Sequence, residues 1–310
     1  MIYSELSGGL GNQFFRYAFA RAYVEKRQMD DELVLNFNQV NRHGASGDIE
    51  NFHIMPYGKT TTGRLVFSKG KIQQKIIYFL YGLEKRIGHF VSPQKERRIR
   101  HKWIPILRKN GILLVSDLNE DYVIDKRNKD IFIFGTFENP KYFSSIKDIL
   151  QTEFIPKNEP LESNRELYEV IDRSNSVCVN VRRGDYLKGK NRDNYFVCDE
   201  NYYKKAIETI KEKVDNPVFI FFSNDIDWVK NNLSVGDCQC YYESGNDPVW
   251  ETFRLMSRCK HFIISNSTFH WWAQYMGRHP QKIVVAPSRW YRNPNWNSYL
   301  ITEDFVTISV

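Results

Sequence analysis

Between residues 177 and 286 four short apolar runs alternate with helix-like stretches, and this alternation leaves few folds open. The runs are Val177-Cys-Val-Asn-Val181, Val218-Phe-Ile-Phe-Phe222, His261-Phe-Ile-Ile264 and Lys282-Ile-Val-Val-Ala286. Runs of this length, almost continuously apolar and bounded by turn residues, read as strands covered on both faces. Among the intervening stretches, Tyr203, Ala206, Ile207 and Ile210 make one stripe of a helix over 201–213. A second helix is expected over 225–233. Asp247-Pro248 offers an N-cap and a first helical residue for a third, reaching about residue 259. A fourth, over 268–276, stops at Gly277. Strands alternating with helices imply a parallel sheet with helices on both faces.

In such a sheet all strand exits lie on one edge, the edge where ligands bind. The first run exits into Arg182-Arg183-Gly-Asp185 and the second into Ser223-Asn224. The third exits into Ser265-Asn266-Ser267-Thr268 and the last into Pro287-Ser288. Two guanidiniums, several hydroxyls and amides, and a helix amino terminus at Thr268 suit a nucleotide diphosphate. Arg supplies forked charge, Ser and Thr directional donors, and the helix end its dipole. A solvated basic turn followed by ordinary helix caps would explain any one of these exits, but less readily all of them together.

The first half opens on an alternating strand, Ile2 to Leu6, a glycine turn Ser7-Gly-Gly-Leu-Gly11 and a helix over 12–27. Strands follow at Leu33-Val-Leu-Asn-Phe37 and Ile131-Phe-Ile-Phe134, with basic helical material between about 65 and 110. The proline-containing stretch over 155–164 is the expected linker, dividing the chain into an acceptor-side α/β domain, 1–155, and a Rossmann-like sugar-nucleotide domain, 156–310.

The chain has 310 residues, 42% hydrophobic and 26% charged, so it is globular and large enough for two cores. Aromatics, at 15%, suit a sugar-handling surface but also ordinary cores. Lys+Arg minus Asp+Glu is 44 − 37, or +7, with much of the excess in Lys95-Glu-Arg-Arg-Ile-Arg-His-Lys102. Such a cluster can attract nucleic acid, anionic lipid or a phosphorylated substrate, or simply form a solvated helix face. The five cysteines lack metal-ligand spacing and suit reduced thiols in a cytoplasmic protein. Neither a signal peptide nor a bilayer-spanning apolar run is expected.

Two motifs have competing readings. Gly9-Leu-Gly11 begins like a dinucleotide fingerprint, with Asp30 and Asp31 near the spacing of a ribose-binding acid, so an NAD(P) enzyme is one alternative. Phe14 occupies the third glycine position, which argues against it. Asp225-Ile-Asp227 matches a metal-diphosphate DxD string, yet two acids in a helix's first turn also favour its dipole, and that reading is preferred.

Four blocks carry a wider resemblance: Ser7-Gly-Gly-Leu-Gly-Asn-Gln-Phe-Phe-Arg-Tyr-Ala18, Val179-Asn-Val-Arg-Arg-Gly-Asp-Tyr186, Phe222-Ser-Asn-Asp225 and the run from Met256 to Trp272. In order and spacing the chain resembles the α-1,2-fucosyltransferase family. The resemblance implies a GT-B-like fold, two Rossmann-like domains facing a cleft, and an inverting transferase that needs no metal or other cofactor. It also implies transfer of L-fucose from GDP-β-L-fucose to O2 of a galactose in surface-polysaccharide or oligosaccharide synthesis. The expected partners are therefore GDP-fucose and a galactose-terminated glycan, with peripheral contact to a membrane or lipid-linked acceptor as an option.

Carried over, Arg182 would hold the β-phosphate and stabilise the departing GDP. Arg183, Asp185, Ser223, Asn224, Ser265, Asn266, Ser267 and Thr268 would surround the donor, and Gly9, Gly11, Asn12 and Gln13 would face it from the other domain. The family's arginine motif commonly begins with His where this chain has Asn180, and often has Ser where it has His270. Asn180 shares a strand face with Arg182, so its effect is expected in the pocket. For His270, packing or a surface position is the expectation. Asp185 as a base competes with a turn-forming role, which is preferred; Glu5, Glu138 and Asp193 are further carboxylates that sequence does not rank. A non-enzymatic binder using Arg183-Gly-Asp185 and a basic nucleic-acid binder are the remaining alternatives. The aromatics do not interleave with the basic cluster as a single-strand platform requires, so no nucleic-acid partner is expected.

Overall fold

The computed structural model describes residues 1–42, 44–115, 120–293 and 296–310, with the side chains of 93, 185, 190 and 191 outside that description. The chain divides into two compact units, Met1–Ile49 with Met55–Lys147, and Glu50–Ile54 with Asp148–Val310.

The first unit is built on five parallel strands: β1 (Ile2–Glu5), β2 (Leu33–Asn36), β3 (Tyr57–Thr60), β4 (Ile112–Leu114) and β5 (Ile131–Phe134), in the order β3-β2-β1-β5-β4. β1 and β5 are buried along their whole length; β5 therefore reads as an apolar run, whereas β1, with Ser4 and Glu5, was legible only by its alternation. β3 is a half-exposed edge strand and β4 only three residues long, so neither left a readable pattern. The helix Leu10–Arg27 buries Phe14, Phe15, Tyr17, Phe19 and Tyr23 and ends on Gln28 in the left-handed region (φ 52°). The basic segment forms a hairpin of helices, Ile72–Val91 and Pro93–Lys109, whose turn residue Ser92 accepts from Lys95 N (3.1 Å). Tyr78, Tyr81 and Leu107 seal it onto Ile112, Phe132 and Phe134.

The second unit holds six parallel strands: β6 (Asn175–Val181), β7 (Pro217–Ser223), β8 (Cys240–Tyr242), β9 (His261–Ile263), β10 (Val284–Pro287) and β11 (Val306–Ile308), ordered β11-β10-β9-β6-β7-β8. β8 and β11, short outer strands with no buried residue, were not legible in the sequence. Val177, Val179 and Val181 pack with Tyr203, Ala206, Ile207 and Ile210 of the helix Glu200–Lys213. Cys178 and Asn180 point to the opposite face, where Asn180 Nδ2 contacts Met256 Sδ at 2.8 Å.

Three expectations need adjustment. The division does not fall in the proline-containing stretch, because that stretch is pinned to the second unit. Phe52 and Pro156 form an antiparallel bridge, Leu161 N donates to Glu251 Oε1 (3.1 Å), and Asn164 Nδ2 donates to Asp247 Oδ2 (2.7 Å). Pro248 is the N-cap of the helix Val249–Arg258, and Asp247 accepts from Asn164 and Ser244 instead. Asn180 is fully buried against Met256 and so does not line a pocket.

Candidate functional site

Each sheet has a topological switch point. In the second unit the chain leaves β6 for β7 on one side and later returns to β9 on the other, so the crevice lies outside the carboxyl ends of β6 and β9. Arg182 is the first residue past β6, and Ser265 and Asn266 follow β9. The helix Thr268–Met276 starts beside them, with Ser267 as an N-cap whose side chain makes no cap hydrogen bond. A positive helix end and a guanidinium thus occupy one crevice, the combination that neutralises an anion.

The packing explains why Arg182 is held there. Its guanidinium lies 5.7 Å over the Tyr186 ring, and Tyr186 Oη donates to Asn266 O (3.1 Å), linking the β6 and β9 exits. Below it, His270 is buried with Nδ1 2.7 Å from Ser265 Oγ. Burial first, and then the Arg182 charge, push the His270 imidazole down to about 3. His270 is therefore neutral at physiological pH and adds no positive charge beneath the guanidinium. Its buried position agrees with the packing expectation.

Arg183 goes elsewhere. It stacks 3.7 Å over Trp228, its Nε sits 3.4 Å from Asp225 Oδ2, and its backbone N donates to Asn224 Oδ1 (3.1 Å). Ser223 Oγ accepts from Asp225 N (2.9 Å), and Asp225 Oδ1 caps the helix Ile226–Asn232 through Trp228 N (3.4 Å). Arg183, Ser223, Asn224 and Asp225 thus fix the arginine loop on the β7 side. Asp225 performs the cap role preferred over the metal reading. A Cβ at Gly184 would fall 2.5 Å from Asn224 Nδ2, so any larger residue there would displace the Asn224 amide that holds Arg183 N. The side chain of Asp185 lies outside the described residues.

Asn266 is a clamp. Its Nδ2 donates to both Tyr195 O and Trp290 O at 2.8 Å, and its Oδ1 lies 3.7 Å from Cys198 Sγ. Tyr186, Trp228 and Trp290 have site roles that sequence reasoning did not assign. Tyr186 ends the arginine motif, and this adjacency was its only available signal.

The first unit's switch point lies between β1 and β5. Gly8 adopts φ +72°, Gly9 caps the helix Leu10–Arg27, and Gly11 is buried in its first turn. Asn12 is partly buried beside Gly8. Gln13 is fully buried, donating to Gly8 O and Ser46 O at 2.9 Å and accepting from Ile49 N (3.3 Å). Its amide therefore shapes the glycine loop. Phe14 fills the third fingerprint position and is buried. Asp31 precedes β2, at the amino edge of the sheet, where it pairs with buried Arg27 at 2.6 Å. It cannot meet a ribose at the carboxyl edge, and the dinucleotide reading falls.

Carboxylates mark this first crevice. Burial raises Glu138 to about 7 against the opposing charge of Arg16. Burial also raises Glu5, opposed mainly by Arg64 and then Arg16, whose Nη1 donates to Glu5 O (2.9 Å). Glu138 follows Phe137, which is buried, strained at φ +63° and stacked 3.9 Å from Phe19. A bulky residue at positive φ persists only where its surroundings over-determine it. Among the described residues no group of three or more His, Cys, Asp or Glu is placed to hold a metal ion.

Residues 103–303 match glycosyl transferase family 11. The chain belongs to glycosyl transferase family 11. Two Escherichia coli relatives of this glycosyltransferase align nearly end to end. An α-1,2-colitosyltransferase is 28% identical over 96% of this chain and 95% of its own, and the O-antigen biosynthesis glycosyltransferase WbnK is 25% identical over 95% and 96%. Human galactoside α-(1,2)-fucosyltransferase 1 is 35% identical over 51% of this chain and 46% of its own. Among solved structures, NodZ α-1,6-fucosyltransferase soaked with GDP-fucose superposes with TM-score 0.51 at 12% identity, over 92% of this chain and 94% of that one. The fucosyltransferase NodZ from Bradyrhizobium gives 0.50 over 89% and 91%, also at 12% identity. The family 11 glycosyltransferase therefore has a GT-B-like fold, and no described helix is long and apolar enough to cross a membrane.

Proposed function

We propose that this glycosyltransferase moves L-fucose from GDP-β-L-fucose to O2 of a galactose, with inversion and without a metal ion or other cofactor. The observation that carries the reading is Arg182 at the β6–β9 switch point, beside the amino end of the helix Thr268–Met276 and above a neutral histidine. As the glycosyl bond breaks, negative charge grows on the bridging phosphate oxygen. A fixed guanidinium and helix end stabilise that charge without reorganising. Ser267 and Thr268 supply donors to the phosphates, while Arg183, Ser223, Asn224 and Asn266 hold the loops. The first unit takes the acceptor, whose hydroxyl must surrender a proton. A carboxyl ionising near neutrality, as Glu138 does, suits that task. The relatives' names support both the sugar class and the linkage.

Transfer of colitose is the second reading, favoured by the α-1,2-colitosyltransferase that aligns nearly end to end. Donor hydrolysis measured across GDP-fucose, GDP-colitose, GDP-mannose and UDP-galactose, followed by a galactoside panel, separates the two. GDP is expected to raise the melting temperature without added magnesium, whereas NADH is not. Turnover confined to UDP-galactose would overturn the proposal.

A further inference from the structure

The helical hairpin of the first unit carries an exposed apolar surface. On the helix Ile72–Val91, the residues Ile72, Ile76, Phe79, Leu80, Leu83, Ile87 and Phe90 are all exposed, Ile72 and Phe90 by more than three quarters (76% and 77%). At 100° per residue these seven positions fall within an arc of about 100°, a continuous apolar stripe. The same helix buries a different face, through Gln74, Tyr78, Tyr81 and Gly88, so the stripe is not core turned outward by chance. An exposed apolar strip this long on a water-facing surface marks an interaction site.

The charge around the stripe identifies what covers it. Lys75 and Arg86 border one side. On the other side Glu84 accepts from Lys102 Nζ (2.8 Å) and Trp103 Nε1 (2.6 Å), which brings the second helix alongside. That helix, Pro93–Lys109, exposes Lys95, Arg97, Arg98, His101, Lys102 and Lys109. Arg64, Lys85, Arg86 and His89 also line a cavity of about 450 Å³ next to it. An apolar stripe flanked by cations is the pattern of a helix lying in the plane of an anionic lipid surface, with apolar side chains among the acyl chains and cations at the headgroups. A protein partner for the stripe would have to be acidic around its rim. A bilayer with anionic lipid offers both chemistries at once.

We infer that the hairpin Ile72–Lys109 docks this enzyme on an anionic membrane surface. The full chain, co-sedimented with phosphatidylcholine vesicles containing phosphatidylglycerol, should pellet at low salt and be released as salt is raised. With phosphatidylcholine alone it should stay largely in the supernatant. Phe79→Ser combined with Phe90→Ser should abolish pelleting, and Lys95→Glu combined with Arg98→Glu should weaken it by about tenfold or more. Both pairs should leave the melting temperature and turnover on a soluble galactoside unchanged, because all four side chains are exposed. Wild-type protein left in solution with both vesicle types would overturn the inference. So would pelleting that survives the serine pair, or a dimer in sedimentation velocity that this pair dissolves, which would make a second copy the occupant.

Discussion

The two units solve one topological problem twice and arm the solutions with opposite chemistry. Each sheet starts on a central strand, builds outward on one side and returns on the other, leaving a crevice at the carboxyl edge. In the second unit that crevice receives Arg182, a helix amino terminus and hydroxyl groups. In the first it receives a strained loop that presents Glu138, with Glu5 at the end of the neighbouring strand. Topology therefore decides where a ligand can sit, and the residues at the strand exits decide its sign. A guanidinium-lined crevice suits a diphosphate. A carboxylate-lined one suits a sugar hydroxyl that must lose its proton.

The hardest test separates the adjacent arginines. Arg182→Ala should lower kcat by about a hundredfold to a thousandfold, or 2.7–4 kcal/mol of barrier, with the melting temperature nearly unchanged. Arg182→Lys should fail almost as badly, because the fork is lost. Arg183→Ala removes a guanidinium stacked on Trp228 and a long ion pair, so it should cost about 1 kcal/mol of stability and much less of kcat. Steady-state kinetics with equal losses for the two variants would erase the distinction between them.

A smaller effect tests whether each crevice has its own clamp. Asn266→Ala leaves the carbonyls of Tyr195 and Trp290 without their donor, and Gln13→Ala does the same to those of Gly8 and Ser46. Each should cost about 2–3 kcal/mol of unfolding free energy by denaturant titration. If either variant instead kept wild-type stability and lost only donor affinity, that amide would be a ligand contact and not a clamp.

Much of this arrangement was written in local pattern. The covered strands β5, β6, β7, β9 and β10 are largely apolar because both faces are buried, and their polar exits stand out against them, while β1 was legible by its alternation. β3, β4, β8 and β11 left no such mark, being short or half-wet, with tertiary pairing and not composition making them strands. Within the site, the arginine pair was visible but its division was not. Trp228, 45 positions after Arg183 in the chain, takes one guanidinium, and no spacing rule predicts that pairing. The linker reading failed for a similar reason. Prolines end helices, but they do not stop Glu251 and Asp247 from anchoring the backbone and side chains around them.

The finest test exploits ionisation, where the two crevices should respond to pH in opposite senses. Burial holds Glu138 at about 7, above the 4.5 of a free glutamate. Its contribution is fully present below 4.5 and is lost as pH rises through 7, so Glu138→Gln should stabilise the protein at pH 8, by about 1–3 kcal/mol. The same substitution should lower turnover if the first unit deprotonates the acceptor, and a variant more stable yet equally active would remove Glu138 from the chemistry. His270 behaves in the reverse sense. Its folded value of about 3 lies below the ordinary 6.5, so its contribution is intact above 6.5 and drains away as pH falls towards 3. The slope is about 1.4 kcal/mol per pH unit, and His261, held at about 4 by burial and then by His279, adds to it until pH 4. Melting temperatures at pH 7 and 5 should therefore fall for the wild type and fall less for His270→Gln. An equal fall in both would mean that His270 ionises alike in the folded and unfolded chain, and that the second crevice takes up this proton more readily than its packing implies.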